Sequence, residues 1–340
     1  MGVKPVLRVA QWTTGKTGRA AVRAMVDHPA IEIVGCYAWS ADKVGRDVGE
    51  LCRIEPIGVI ATDDIDALLA LGSDCVVYTP YRPDIDHVVR ILEMGTNIVT
   101  SMYQLAGDGY GDDVQSRIID AARRGKATLY ASGTYPGHVA MVALGATAVC
   151  SRIERITLLE SVDLTAYENE PMYRAMGIDR DPTDPEAAVL IEAACGSFRD
   201  QVAVMAYALA VDLDDITFNA EFAVADDDLD FGFMTIGKGR VAAIRGTISA
   251  QAGGRSRIEC RSVWKMGERT NPNWPIEHGY IIDIEGTPSF RVRIEPGAGW
   301  TGSISTALPI VNAIPAVCAA SPGILNLGEL PFVRGTHAIR

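Results

Sequence analysis

Residues 6–28 read VLRVAQWTTGKTGRAAVRAMVDH, and this stretch decides the fold. Val6 to Ala10 is an apolar strand, Thr13 to Gly18 a turn punctuated by glycine, and Arg19 to Val26 carries a helical pattern. A strand that passes through so short a turn into a helix leaves backbone N–H groups and the positive end of the helix dipole aimed at one spot, where a pyrophosphate would be held. Gly15 lets the backbone approach the phosphates and Gly18 lets the helix close on the strand. Thr13, Thr14, Lys16 and Thr17 complete the candidate turn. Thr13 stands where the G-x-G-x-x-G/A fingerprint has its first glycine, so the motif rests on its strand-turn-helix context. The alternative is a strand-to-helix turn that holds no ligand.

Outward from this stretch the chain alternates. Ile31 to Ala38 (IEIVGCYA) is a second strand, Asp64 to Leu71 is helix-like, and Cys75 to Pro80 (CVVYTP) is a third, deeply apolar strand. Asp84 to Met94 shows a helical face at Ile85, Val88, Val89, Ile91 and Leu92, and Asn97 to Ser101 returns as strand. Val114 to Gly125 repeats the helix and Ala127 to Ala131 the strand. Alternation of this kind predicts a parallel sheet, whose right-handed crossovers put the strand ends on one edge, where a ligand lies. The loops at that edge are Thr13 to Lys16, Trp39 to Lys43, Thr79 to Arg82, Met102 to Gln104 and Ser132 to His138. They make Thr79, Pro80 and Gly133 further candidates for cofactor contact.

The end of the second strand bears on which dinucleotide fits. NAD asks for an Asp or Glu about 20 residues past the glycines, to accept from the ribose 2′-OH. Here stand Tyr37, Ala38, Trp39 and Ser40. Ser40 offers a donor to a 2′-phosphate and Lys43 or Arg46 a balancing charge, so the loop points to NADP, with NAD as the alternative. Asp42 argues the other way, and Ser40 and Asp42 read equally well as caps of a short turn.

Past about residue 150 the pattern changes. Glu154 to Leu164 is strand-like, Tyr167 to Met176 and Pro185 to Ala210 are helical, and five alternating strands follow: Ile216 to Val224, Val241 to Gln251, Arg257 to Met266, Tyr280 to Glu285 and Ser289 to Ile294. Alternation with Gly, Asp and Asn between the runs predicts a mainly antiparallel sheet with one face to bury. One long helix covers five strands poorly, so a homodimer is expected. The helix Ser303 to Ala320 is expected to return to the first domain. The expected architecture is an α/β Rossmann domain over residues 1–150, completed by residues 301–340, and an α+β substrate and dimerisation domain over 151–300.

A chain of 340 residues with 48% hydrophobic content can bury cores for two domains. Its net charge of −12 argues against a nucleic-acid or anionic-membrane partner, since either needs a basic face. No run of about 18 apolar residues occurs. Met1 to Pro5 reads as too short and polar for a signal peptide, and the cytoplasm is the expected compartment. The scattered cysteines, seven in number, read as reduced core thiols without metal-ligand spacing, and no metal site is expected.

The turn AQWTTGKTGRAA, the segment SADKVGRDVGEL, the segment ASGTYPGHV and the closing NAIPAVCAASPGI together resemble the dihydrodipicolinate reductase-like superfamily. Within it the chain is most similar to the NAD(P)-dependent amine dehydrogenases and 2,4-diaminopentanoate dehydrogenases. The resemblance implies a Rossmann domain, a mixed α+β domain that forms a dimer, and hydride transfer between nicotinamide and a C=N or C=O carbon of a small substrate. Dihydrodipicolinate reductase itself carries paired histidines and a lysine where this chain reads LLESVDLTAYENE, with neither. The amine dehydrogenases carry a catalytic glutamate in the loop that here reads TSMYQLAG, so Tyr103 or Gln104 takes its place. In ASGTYPGHV the family's Asn and Phe have become Tyr135 and His138.

These departures leave candidate proton groups. Tyr103, Tyr135 and His138 lie on strand-end loops where the nicotinamide is expected, and any one of them could serve; Glu160, on the first strand of the second domain, is a further candidate. Tyr135 reads as packing against cofactor or cleft wall, and His138 equally as a cap or a core histidine. Trp264, Trp274 and Trp300 read as core or dimer contact. The sequence thus points to an NAD(P)H-dependent oxidoreductase acting on a small, fairly apolar carbonyl or imine. The competing readings are an amine dehydrogenase and a dinucleotide-binding sensor without chemistry.

Overall fold

A computed structural model describes residues 6–107 and 109–339, so Met1 to Pro5 lies outside the described residues. The chain divides into two compact units, Met1–His138 with Gly299–Arg340, and Val139–Ala298. The first unit begins β1 (Leu7–Trp12), α1 (Lys16–Val26), β2 (Ile31–Tyr37), α2 (Val48–Leu51), β3 (Ala61–Thr62) and α3 (Ile65–Leu69). It continues β4 (Cys75–Tyr78), α4 (Ile85–Glu93), β5 (Asn97–Thr100), α5 (Asp112–Gly125) and β6 (Thr128–Ala131). The second unit holds α6 (Val139–Thr147), β7 (Arg152–Asp163), α7 (Glu170–Ala175), α8 (Pro185–Ala194), α9 (Gly196–Ala208) and β8 (Asp215–Ala225). After it come β9 (Leu229–Asp230), β10 (Thr235–Ile236), β11 (Val241–Ala252), β12 (Arg255–Lys265), β13 (Thr270–Asn271), β14 (Gly279–Thr287) and β15 (Phe290–Ile294). The chain then returns to the first unit with α10 (Gly302–Cys318) and β16 (Gly323–Leu325).

The first sheet has seven strands in the order β16-β6-β5-β4-β1-β2-β3, all parallel. Every residue of β4 and β6 is buried. Strands covered on both faces need apolar side chains on both, which is why they read as unbroken apolar runs. Helix α4 buries Val88, Ile91 and Leu92, one helical stripe, and Asp84 caps it by accepting from the Asp86 and His87 N–H groups. Helix α10 buries Ala307, Ile310, Val311, Ala313, Ile314 and Val317 and packs on α1. The edge strand β16, parallel to β6, escaped sequence reading because three residues carry no period.

The second sheet also has seven strands, β13-β8-β11-β12-β7-β14-β15, antiparallel throughout except for the parallel pair β12 and β7. The single long helix expected over 185–210 is two helices, with the break at Cys195 and Gly196. Glycine is a poor helix former, and Cys195 Sγ lies over Gly246 of β11, at a spot a Cβ there would invade. Helices α6, α8 and α9 pack on the sheet, α9 across β11 and β12. On the opposite face Trp274 packs on Ala223, Ala243 and Val263. Trp264 and Trp274, both in the second unit, lie on opposite faces of its sheet. Trp264 bonds to Glu160 on the helix-covered face, Trp274 lies on the other, and Trp300 belongs to the first unit. Among the described residues no helix is long and apolar enough to cross a membrane.

Candidate functional site

The turn after β1 is held by its neighbours atom by atom. Thr13 has φ +71°, a left-handed backbone that a β-branched residue rarely adopts and that explains the glycine usual at this place. Its N–H donates to Tyr37 O at 2.9 Å, its Oγ1 to Thr79 O at 3.1 Å, and its carbonyl accepts from Gln11 Nε2 at 2.8 Å. Gln11 Nε2 also donates to Thr79 Oγ1 at 2.9 Å, and Thr79 Oγ1 to Trp12 O at 3.2 Å. Beneath them Trp12 stacks on Tyr37 with centroids 4.5 Å apart. A Cβ on Gly18 would overlap Thr13 O and crowd Thr79 Oγ1, so this glycine lets α1 close on the strand. Gln11 was missed in the sequence, although a polar residue inside a buried strand was the available signal.

The residues of the turn suit a pyrophosphate. Helices α2, α3 and α4 are each capped by an aspartate, Asp47, Asp64 and Asp84, whereas α1 starts from Gly15 with no side-chain cap and no acid in its first turn. A Cβ on Gly15 would meet nothing within 4 Å, so the space above the helix end is open. Thr14 is buried, and its Oγ1 has no hydrogen-bond partner among the described residues. A buried hydroxyl without a partner, beside an uncapped helix N-terminus, is a donor set for an anion.

The other sequence candidates of the first unit lie on the same carboxyl edge, because β1, β2, β4, β5 and β6 are parallel. Ser40 and Lys43 are half-buried in one turn, where Lys43 N–H donates to Ser40 O at 2.9 Å. The cap of α2 is Asp47. Thr79 is buried and Pro80 half-buried. Tyr103 is buried in the short 3-10 turn Tyr103–Leu105 after β5. Gly133 opens the Thr134–His138 turn, closed by His138 N–H donating to Gly133 O at 2.8 Å. Half-buried His138 has its pKa pulled down by burial, which keeps the imidazole neutral at pH 7.

The second unit places Glu160 in a row that no sequence window shows. Gly246, Ser262, Glu160 and Tyr280 stand side by side on β11, β12, β7 and β14. Burial pushes the Glu160 carboxyl up to about 7, against the pull of hydrogen bonds from Trp264 and Tyr280, the Trp264 Nε1 bond being 2.8 Å. A carboxyl balanced near neutrality can hold or release a proton under ordinary conditions. Lys265, fully buried two strand positions beyond Val263, differs. Its Nζ donates to Glu268, Asn273 and Trp274 O at 2.8, 2.6 and 3.0 Å, so its hydrogens are spent on bracing the 268–274 loop.

With both units described, likeness to known proteins decides the family. Residues 139–339 match the 2,4-diaminopentanoate dehydrogenase C-terminal domain, and residues 13–101 the N-terminus of dihydrodipicolinate reductase. The chain belongs to the 2,4-diaminopentanoate dehydrogenase family, with a dihydrodipicolinate reductase-like N-terminus. It is an NAD(P)-dependent oxidoreductase of that family. An amine dehydrogenase from Streptomyces virginiae is 29% identical over 94% of this chain and 95% of its own. Among solved structures, an amine dehydrogenase from Mycobacterium smegmatis superposes with a TM-score of 0.76 at 20% identity, covering 97% of each chain. The WlbA dehydrogenase from Bordetella pertussis, solved with NADH and UDP-GlcNAcA, gives 0.57 at 11% identity over 96% of this chain and 92% of its own. These two likenesses are of fold.

Two outcomes test the turn and the buried carboxyl. Gly15→Val fills open space, so circular dichroism should be unchanged while dinucleotide affinity, read by calorimetry, is lost; full affinity in a folded Gly15→Val protein would leave the turn as architecture only. The raised carboxyl of Glu160 binds its proton more tightly folded than unfolded. Its contribution to stability is therefore present below pH 4.5 and lost as pH rises through about 7. Urea unfolding of Glu160→Gln against the parent should lack ~1–3 kcal/mol of that decline, and identical pH profiles would contradict it.

Proposed function

We propose that this chain is an NADP-preferring oxidoreductase that moves a hydride to or from the C=O or C=N carbon of a small, fairly apolar substrate. The observation that carries the reading is the open, uncapped N-terminus of α1 beside the Thr14 hydroxyl, which has no partner among the described residues. The dinucleotide supplies the hydride at its nicotinamide ring when bound. The chain's own groups bind and orient it. Thr13, Thr14, Gly15, Lys16, Thr17 and Gly18 hold the pyrophosphate, and Thr79, Pro80 and Gly133 border it. Ser40 donates to the 2′-phosphate, and Lys43 and Arg46 balance its charge. Working as a homodimer in the cytoplasm, the chain takes a small molecule and no nucleic acid or membrane, in keeping with its net charge of −12.

Glu160 is the proton group this reading favours. Tyr103 is buried and His138 is held neutral, whereas the Glu160 carboxyl is balanced near pH 7 by burial against the Trp264 and Tyr280 hydrogen bonds. Protonated, Glu160 donates to the oxygen or nitrogen of the acceptor; ionised, it takes a proton from an alcohol or ammonium. This second state supports the amine dehydrogenase reading as well, along with the full-length likeness to the Streptomyces virginiae enzyme. A carboxylate supplies the charge that a phenol or amide at 103 and 104 lacks.

For the cofactor, NADP should bind about tenfold or more tightly than NAD, and Ser40→Asp should reverse the order; equal affinities in the parent would remove the preference. For the chemistry, carbonyl reduction followed at the reduced-nicotinamide absorbance should lose kcat/KM as pH rises through about 7. Glu160→Gln should abolish that limb and lower turnover by ~10²–10⁴-fold. An active Glu160→Gln beside an inactive Tyr103→Phe would move the proton to Tyr103. Ketones and aldehydes assayed with and without ammonia separate the two substrate readings, and turnover of neither would leave a binding protein.

A further inference from the structure

The second sheet comes apart at the end of β7 remote from Glu160. The ladder between β12 and β7 begins at the pair Ile258 and Ile156 and runs to Lys265 and Asp163, so the two strands splay before it. Two irregularities lie at the same end. On β12, Ile258 faces Ala250 and Ser256 faces Gln251, which leaves Arg257 without an opposite number on β11. On β7, Arg155 faces Glu285 and Ile153 faces Gly286, which leaves out Glu154. A bulge bends its strand and re-aims the side chain it carries. Between the splayed strands and the chain leaving α9 opens a cleft of about 630 Å³, within the size range of small-molecule sites.

The cleft combines an apolar lining with one cation. Of its apolar residues Ile156 and Ile258 are buried, and Ile153, Leu209 and Val211 are half-buried. The cation is Arg257, itself half-buried. Its Nε donates to Ala252 O and its Nη1 to Glu154 O, both at 3.2 Å, so the guanidinium bridges β11 and β7. Bracing the strands takes only these two N–H groups of a side chain that carries five. Nη2 is left over, with no partner among the described residues. A Cβ added to Gly253, which lines the same cleft, would lie 4.0 Å from it. Among the described residues Arg257 meets no carboxylate either, whereas Arg155, Arg245, Arg261, Arg291 and Arg293 of the same sheet each pair with one. The acids nearby are engaged elsewhere. Glu154 pairs with Arg152 at 3.2 Å, and Asp214 accepts from Gly254 N–H at 3.2 Å. A half-buried charge, fixed in place without a counter-charge, favours an anion from outside.

We propose that this cleft is a second ligand site, which binds a small monocarboxylate with an aliphatic body. The carboxylate takes the N–H groups of Arg257 that the strands do not use, and the hydrocarbon lies against Ile156, Ile258, Leu209 and Val211. One guanidinium balances one negative charge, which favours a carboxylate over a doubly charged phosphate. Along β7 the distance from Glu154 to Glu160 is about 20 Å at roughly 3.3 Å per residue, so the cleft is separate from the row that holds the raised carboxyl. It is also independent of which dinucleotide the first unit takes.

The test titrates hexanoate, hexanol, acetate and inorganic phosphate into the full chain by calorimetry at pH 7. Hexanoate should bind. Hexanol has the body without the charge, and acetate and phosphate have charge without the body, so each should bind about tenfold or more weakly than hexanoate. Arg257→Gln should weaken hexanoate by about tenfold or more and leave hexanol unchanged. Leu209→Ala removes apolar lining and should weaken hexanoate by about threefold or more. Circular dichroism checks that the variants fold. Because Arg257 also braces two strands, the parent protein supplies a readout that needs no variant: hexanoate should slow amide hydrogen exchange in residues 151–156, 209–211 and 252–258. If Arg257→Gln fails to fold, that exchange pattern decides. The proposal is overturned if the parent does not bind hexanoate, if a folded Arg257→Gln protein keeps full affinity, or if protection falls only on other segments. Hexanol or phosphate binding as tightly as hexanoate would reduce the cleft to an apolar hollow or a bare anion site, and would overturn it as well.

Discussion

The side-chain amide of Gln11 is the interaction on which the nucleotide edge depends. One nitrogen reaches the Thr13 carbonyl and the Thr79 hydroxyl, so that β1 and β4, neighbours in the sheet, present their loops as one rigid piece. The left-handed backbone at Thr13 is tolerated because its N–H, its carbonyl and its hydroxyl all have partners. The amide oxygen of Gln11 is buried without a partner among the described residues. Preorganisation of this kind matters because a bound anion then meets donors that need no reordering.

The second unit solves a different problem with the same means. Its sheet brings a glycine, a serine, a glutamate and a tyrosine into one row across four strands, and the small size of Gly246 admits Cys195 from the helix above. The carboxyl in that row is raised by burial, and the indole and phenol bonds limit how far. Lys265 of the adjacent strand is fully buried, and the bonds of its Nζ run to the loop it braces. Two ionisable groups on neighbouring strands thus have unlike fates, decided by how fully the protein itself satisfies them.

Much of this was legible in the sequence because the signals are local. The runs around Val76 and Leu129 announce strands buried on both faces, the alternation from Ile216 onward an antiparallel sheet, and Gly15 and Gly18 a turn between strand and helix. What was not legible depends on distant partners. Strand β16 exists because β6 offers it an edge, and the helix over 185–210 breaks where Gly196 meets the packing of Cys195 on Gly246. The character of Glu160 comes from Trp264 and Tyr280, more than a hundred positions away. Gln11 looked like one polar residue in an apolar strand, and only the fold shows the two loops it joins.

The return of the chain to its first unit has a consequence for synthesis. Residues 139–298 form a unit of continuous sequence, while the first unit lacks α10 and β16 until residues 299–340 are made. On the ribosome the second unit can close around its own core while the first still exposes the face of α1 that α10 will cover. The part of the chain translated first is therefore the part finished last. A chain cut short before α10 would carry a completed second unit attached to an uncovered nucleotide fold, a species for chaperones and proteases to recognise.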